Sequence, residues 1–148
     1  MKLNKDLREF IALLNSTGVR YLIVGGYAVG FHGYPRFTGD IDFFVERSVE
    51  NATRLEKVLF DFGFGGLGLS ASNFLEPESV IQLGRPPNRI DILTSIDAIN
   101  FHEAWLNRTS AELEGVPAAF ISREDLIKNK RATARPQDIA DLDKLEAP

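Results

Sequence analysis

Apolar residues recur at helical spacing over residues 3–17, where Leu3, Leu7, Phe10, Ile11 and Leu14 share one face and Gly18 supplies a stop. The run VRYLIVGG that follows has the pattern of a short buried strand ending in Gly25 and Gly26. A short helix over residues 27–33 is broken by Gly33-Tyr34-Pro35. Ile41, Phe43 and Val45 then alternate with Asp40, Asp42 and Phe44, which is a strand period. From 50 to 62 the helical period returns through Leu55, Val58, Leu59 and Phe62, and the glycine-rich stretch 63–78 predicts no element. Two strands over 79–83 and 89–93 are joined by a Gly-Arg-Pro-Pro-Asn turn. A helix over 97–106 follows, with Asp97 as its cap. Residues 110–121 predict a hairpin around Glu114-Gly115. Ser122, followed by Glu124 and Asp125, opens another helix, and Pro136 opens the last. No repeat or linker interrupts the pattern. Alternating helices and strands predict one domain over residues 1–148, of α/β (α+β) class, with helices packed on a mixed sheet.

The polar residues inside the strand at 40–45 need a chemical reason. Successive strand side chains point to opposite faces, so Asp40 and Asp42 share one face roughly 7 Å apart. Adjacent carboxylates repel, and burying them uncompensated is costly, so something cationic belongs between them. Hard oxygen donors in this arrangement suit magnesium or manganese, with nucleotide phosphates completing the octahedron. A second metal ~3.5–4 Å from the first requires a third carboxylate. Asp91 fits, because Ile90 and Ile92 flank it in NRIDILTS much as Ile41 and Phe43 flank Asp42. A lone aspartate at a strand end is ordinarily a solvated or capping residue. Two at i and i+2 with a third in another strand favour a site over that bland account.

Gly25 and Gly26 add a second signal. Glycines between a strand and a helix often serve only for their backbone freedom. Free backbone N–H groups at a helix start also hold phosphate, and the pair of signals is more specific than either alone.

Composition narrows the partners. The chain has 148 residues, 44% hydrophobic and 26% charged, enough to bury a core and too apolar for a disordered chain. The absence of cysteine excludes disulfides and thiolate zinc sites. No apolar run reaches the ~20 residues of a membrane span, and MKLNKDLREF lacks a signal-peptide core, so a cytoplasmic location is expected. Net charge is −4, and the one basic cluster runs from Arg123 to Arg135. That balance suits a small anionic ligand, or a nucleic acid held by its end, better than a long nucleic acid.

The run GGYAVGFHGYPRFTGDIDFFV followed by RIDIL resembles the nucleotidyltransferase fold of the DNA polymerase β superfamily. Within it, the likeness is to AbiEii-type and minimal nucleotidyltransferase (MNT-type) proteins. The resemblance runs from residue 23 to 142. It matches Gly25 and Gly26 to the glycine pair, Asp40 and Asp42 to the Asp-x-Asp motif, and Asp91 to the third acid. Arg36 and Thr38 match an arginine and a threonine before the aspartates, and Lys130 a lysine on a later helix. Arg135, Asp138 and Asp141 match an Arg-x-x-Asp-x-x-Asp run. Gly26 stands where serine is common, which removes a hydroxyl that often contacts phosphate, and Lys128 competes for the lysine role.

The resemblance implies a metal-dependent transfer of a nucleoside monophosphate from an NTP to a hydroxyl. It implies catalytic and metal-binding roles for Asp40, Asp42 and Asp91, and phosphate contacts for Gly25, Gly26, Arg36, Thr38 and Lys130. The acceptor it implies is an RNA end, a protein side chain or a small molecule such as an aminoglycoside. A toxin–antitoxin partner protein follows from the AbiEii likeness alone. The alternative is a catalytically inactive nucleotide-binding or protein-partner module of the same fold.

Residue by residue, plainer roles stay open. Arg36 either touches phosphate or pairs with Asp40 or Glu46, and Lys130 is either a phosphate clamp or a solvated lysine. Arg135, Asp138 and Asp141 also read as an ion set that stabilises a helix. His32 and His102 lack ligand spacing and read as structural. Phe60, Phe62 and Phe64 read as core rather than as a base-stacking platform. On the helix opened by Ser122, Lys130 shares the inward face of Leu126 and Ile127, while Lys128 points away.

Overall fold

The computed structural model of the chain describes residues 5–34 and 38–147. Helix α1 (Lys5–Thr17) buries Leu7, Phe10, Ile11 and Leu14 as one stripe. Leu3, the expected start of that stripe, lies outside the described residues. All four residues of β1 (Tyr21–Val24) are buried. The strand stops at Val24 because Gly25 turns to φ +68° and opens α2 (Gly25–Phe31). The two glycines therefore belong to the helix, not to the end of the strand.

Strand β2 (Asp40–Val45) leads to α3 (Val49–Leu59), whose first turn is capped by the Ser48 hydroxyl accepting from the Asn51 N–H. The α-helical part ends three residues short of Phe62. Residues Phe60–Phe64 form a wider turn in which Gly63 takes φ 104°. Phe62 packs edge-on against Phe10 at 5.2 Å, and Phe64 also meets the core. Phe60 does not, being 72% exposed, so the expectation of three core aromatics holds for two. The glycine-rich stretch resolves into two short 3-10 turns, the second of which buries Phe74.

Strands β3 (Val80–Leu83) and β4 (Arg89–Leu93) pair antiparallel across the expected turn. Helix α4 (Phe101–Leu106) begins later than expected, and its cap is Asn100 rather than Asp97. Ile96 and Ile99 pair as a small antiparallel bridge, with Ala98 at φ 65°, so Asp97 and Ala98 serve as its turn. Strands β5 (Thr109–Leu113) and β6 (Val116–Phe120) form the hairpin, with Glu114 and Gly115 both at positive φ as a tight two-residue turn requires. Helix α5 (Arg123–Thr133) is capped by Ser122, and α6 (Pro136–Leu145) starts at its proline.

The six strands make one mixed sheet in the order β3-β4-β2-β1-β6-β5, with β2–β4 and β1–β6 parallel. Strand periodicity then sorts β2 between two layers. Phe43 meets Phe10 of α1 at 5.5 Å. On the opposite face, Phe44 meets Phe101 of α4 at 5.1 Å, and Asp40 and Asp42 share that side. Among the described residues, no helix is long and apolar enough to cross a membrane.

Candidate active site

The parallel pairing of β2 with β4 sets Asp40 beside Arg89 and Asp42 beside Asp91. Because i and i+2 share a face, these four side chains stand as a square on one side of the sheet. Ligand oxygens of Asp40, Asp42 and Asp91 all lie within 4.8 Å of one another. The three aspartates picked out by sequence pattern thus converge. Placing Asp42 directly opposite Asp91 is unfavourable for a sheet on its own.

Arg89 supplies a counter-charge. Its Nε donates to Asp91 Oδ1 at 3.1 Å, and its Nη2 to Asp91 Oδ2 at 3.1 Å and to Asp40 Oδ2 at 3.3 Å. Sequence reasoning asked for a cation here but did not single out Arg89. The signal was available, since Arg89 and Asp91 share the i, i+2 spacing that marked Asp40 and Asp42.

A cleft of about 560 Å³ opens over the carboxylates and is bounded by Gly25 at one edge and by Lys130 and Arg135 at another. A Cβ at Gly25 would overlap the Asp42 carboxylate, and the backbone there is left-handed. Glycine is required on both counts. Thr38 donates its hydroxyl to the Asp40 carbonyl at 3.0 Å and to Asp40 Oδ1 at 3.2 Å, which fixes the start of β2. Arg36 lies outside the described residues.

Lys130 points inward and is buried, while Lys128 is exposed, as the helix phase predicts. The Lys130 ammonium sits 2.9 Å from Asp138 and 3.2 Å from Asp141, both on α6. Arg135 Nε donates to Asp138 Oδ2 at 2.8 Å and its Nη2 to Oδ1 at 3.4 Å, although most of the side chain is exposed. Lys130, Arg135, Asp138 and Asp141 are therefore one ion network joining α5 to α6 along the cleft wall. Of the histidines, His32 Nε2 lies 2.8 Å from the Ile121 carbonyl, and His102 is exposed.

The carboxyls carry unequal protons. Burial, then the charges of Asp40 and Asp91, push Asp42 up to about 8. Burial also raises Asp91, against the opposing pull of Arg89. Burial works on Asp40 in the same direction, but hydrogen bonds shared with Asp42 and Asp91, together with Arg89 and Thr38, outweigh it and leave Asp40 lowered. Burial is likewise overcome at Asp138, which hydrogen bonds from Arg135, Thr133 and Lys130 hold well below the usual carboxylate range.

A pH dependence follows for the protein in chelator. Between the ordinary aspartate value of ~3.9 and the folded value of about 8, folded Asp42 holds a proton that the unfolded chain releases. Stability should therefore rise as pH falls from about 8 toward 5. Below about 4 it should fall again as the unfolded chain protonates at Asp138 and the lowered folded group does not. Thermal melting across this range checks it, and Asp42→Asn should flatten the alkaline limb only.

The donor set is three carboxylates, hard oxygens on two rigid strands. Asp42 keeps a proton because burial, and then the charges of Asp40 and Asp91, leave its own negative charge uncompensated. A divalent cation would relieve that deficit, so magnesium or manganese fits the residues present.

Comparison with known proteins identifies a family and a fold. A family model described as "Nucleotidyl transferase of unknown function (DUF2204)" matches residues 3–147. A search of curated proteins returned no match. Among solved structures, a Thermotoga maritima protein described as a nucleotidyltransferase aligns with TM-score 0.62 and 17% identity, over 93% of this chain and 88% of its own. The lincosamide antibiotic adenylyltransferase LnuA, solved with lincomycin, aligns with TM-score 0.58 and 15% identity, over 99% of this chain and 98% of its own. A nucleotidyltransferase-like antigenic protein of Paracoccidioides brasiliensis aligns with TM-score 0.55 and 18% identity, over 97% and 77%. At these identities the structures establish the fold. The family match covers almost every residue, and the chain belongs to the nucleotidyl transferase family DUF2204.

Proposed function

We propose that the protein transfers a nucleoside monophosphate from an NTP to a hydroxyl acceptor, with Asp40, Asp42 and Asp91 holding magnesium or manganese. The observation that carries this is the convergence of the three carboxylates beneath a cleft that Lys130 and Arg135 also line. When bound, the cation neutralises triphosphate charge and lowers the pKa of the attacking hydroxyl.

The protein's own residues divide the remaining work. Asp91 accepts the proton of the acceptor hydroxyl as its oxygen bonds the α-phosphorus. The bond from that phosphorus to the bridging oxygen breaks, and pyrophosphate leaves. Gly25 and Gly26 bring the backbone of α2 close to the phosphates, and Thr38 keeps Asp40 in place. Arg135 offers a largely exposed guanidinium at the cleft wall, Lys130 is held there by Asp138 and Asp141, and Lys130 and Arg36 are assigned to phosphate by motif alone.

The finer assignment rests on the motif resemblance alone: an AbiEii-like protein with a toxin–antitoxin partner and an RNA or protein acceptor. The fold shared with LnuA supports the third acceptor class, a small molecule. One experiment separates them. The protein is incubated with each α-labelled NTP, magnesium and, separately, cellular RNA, cellular protein, or a panel of aminoglycosides and lincosamides. Label is expected in one fraction, with matching pyrophosphate and none from Asp42→Asn. NTP binding without pyrophosphate under every condition would instead identify a binding module.

A further inference from the structure

We propose that Arg89 is a resident counter-ion of the carboxylate site: it positions Asp40 and Asp91 in the absence of metal and yields when a divalent cation enters. The inference rests on the metal-binding reading of these carboxylates given above.

One guanidinium engages both oxygens of Asp91 and one oxygen of Asp40. The planar fork of arginine matches a carboxylate in two directions at once, which lysine cannot do. The arrangement is built into the backbone, because Asp40 and Arg89 are register partners on neighbouring parallel strands. The side chains of Arg89 and Asp40 are 33% and 28% exposed, so solvent screens the pairing in part, though less than it would two fully exposed charges.

Two consequences oppose each other. Without metal, Arg89 offsets the repulsion of three converging carboxylates and sets the rotamer of Asp91. Toward metal, it competes: a cation taking oxygens of Asp40 and Asp91 must break these hydrogen bonds and meet a like charge a few ångströms away. Arg89 itself lines the cleft, so a displaced guanidinium remains beside the space the triphosphate would fill. A purely structural arginine predicts that its loss weakens metal binding. A competing counter-ion predicts the opposite sign.

The test is a manganese titration of wild type, Arg89→Gln and Arg89→Lys, read by EPR of free Mn2+ and by melting temperature, with and without a non-hydrolysable NTP analogue. Arg89→Gln is expected to melt lower than wild type in chelator yet to bind Mn2+ about tenfold more tightly. Arg89→Lys keeps the charge and loses the fork, so it is expected to melt lower with Mn2+ affinity within about threefold of wild type. If Arg89→Gln does not fold in chelator, Mn2+ is expected to restore its fold, and failure of that rescue overturns the proposal. Mn2+ binding by Arg89→Gln equal to or weaker than wild type overturns it and leaves the metal site standing. No Mn2+ response in any of the three proteins, even with the analogue, removes the metal site itself and this inference with it.

Discussion

Asp42→Asn lowers kcat/KM for nucleotidyl transfer by about 10³, equivalent to ~4 kcal/mol of transition-state stabilisation, while raising the melting temperature of the metal-free protein at pH 8. Both effects have one cause. Asp42 faces Asp91 across β2–β4 and lies beside Asp40, and its proton is retained up to about 8. Asparagine keeps the shape and the neighbours but cannot present the charge that would hold the proposed cation. It also removes the repulsion that the folded protein otherwise tolerates, so activity and stability move in opposite directions. Pyrophosphate release and melting in chelator are the two measurements. An active variant, or one that melts lower at pH 8, would place the function of Asp42 elsewhere.

Lys130→Met destabilises the protein by ~3–5 kcal/mol, a drop of roughly 10 °C in melting temperature, whereas Lys128→Ala changes stability by no more than ~0.5 kcal/mol. The two lysines are one turn-half apart on α5 and meet opposite environments. Lys130 is buried between Asp138 and Asp141, and its removal leaves charge on α6 without its buried cation. Lys128 is exposed. Combining Lys130→Met with Asp138→Asn and Asp141→Asn should recover most of the loss, because the cost lies in the unpaired charge rather than in the missing methylenes. Urea melts of the four proteins decide it. At a temperature where all are folded, Lys130→Met should still turn over NTP more than tenfold more slowly, and Lys128→Ala less than about threefold.

What could be read in advance was local. The period-2 pattern marked Asp40, Asp42 and Asp91, and helix phase turned Lys130 inward and Lys128 outward. Cross-strand register is not a property of any one segment, so nothing local showed that Arg89 would stand beside Asp40. The same holds for Lys130, whose carboxylate partners depend on how α6 packs against α5. The Asp97 cap went wrong for a related reason: a bridge between Ile96 and Ile99 took the residues that would have formed the first turn. Gly25 was legible as a glycine at a strand-to-helix turn. That its missing Cβ makes room for Asp42 needed the fold.

The position of β1 between β2 and β6 has a consequence for how the protein assembles. Strands β2 and β4 carry the acidic face, but β1 finds its second neighbour only when Ile23 meets Phe120, after most of the chain lies between them. Closing so long a loop is entropically slow, and topologies dominated by such contacts fold slowly. The helices bearing Lys130 and Arg135 follow β6 in the chain and reach the cleft only with it. Refolding is therefore expected to pair β2 with β4 before β1 meets β6, and hydrogen-exchange protection should appear at Asp42 and Asp91 ahead of Ile121, whose N–H donates to the Ile23 carbonyl. On this ordering the carboxylate side of the cleft is expected to form first, and the wall built by α5 and α6 to close over it last.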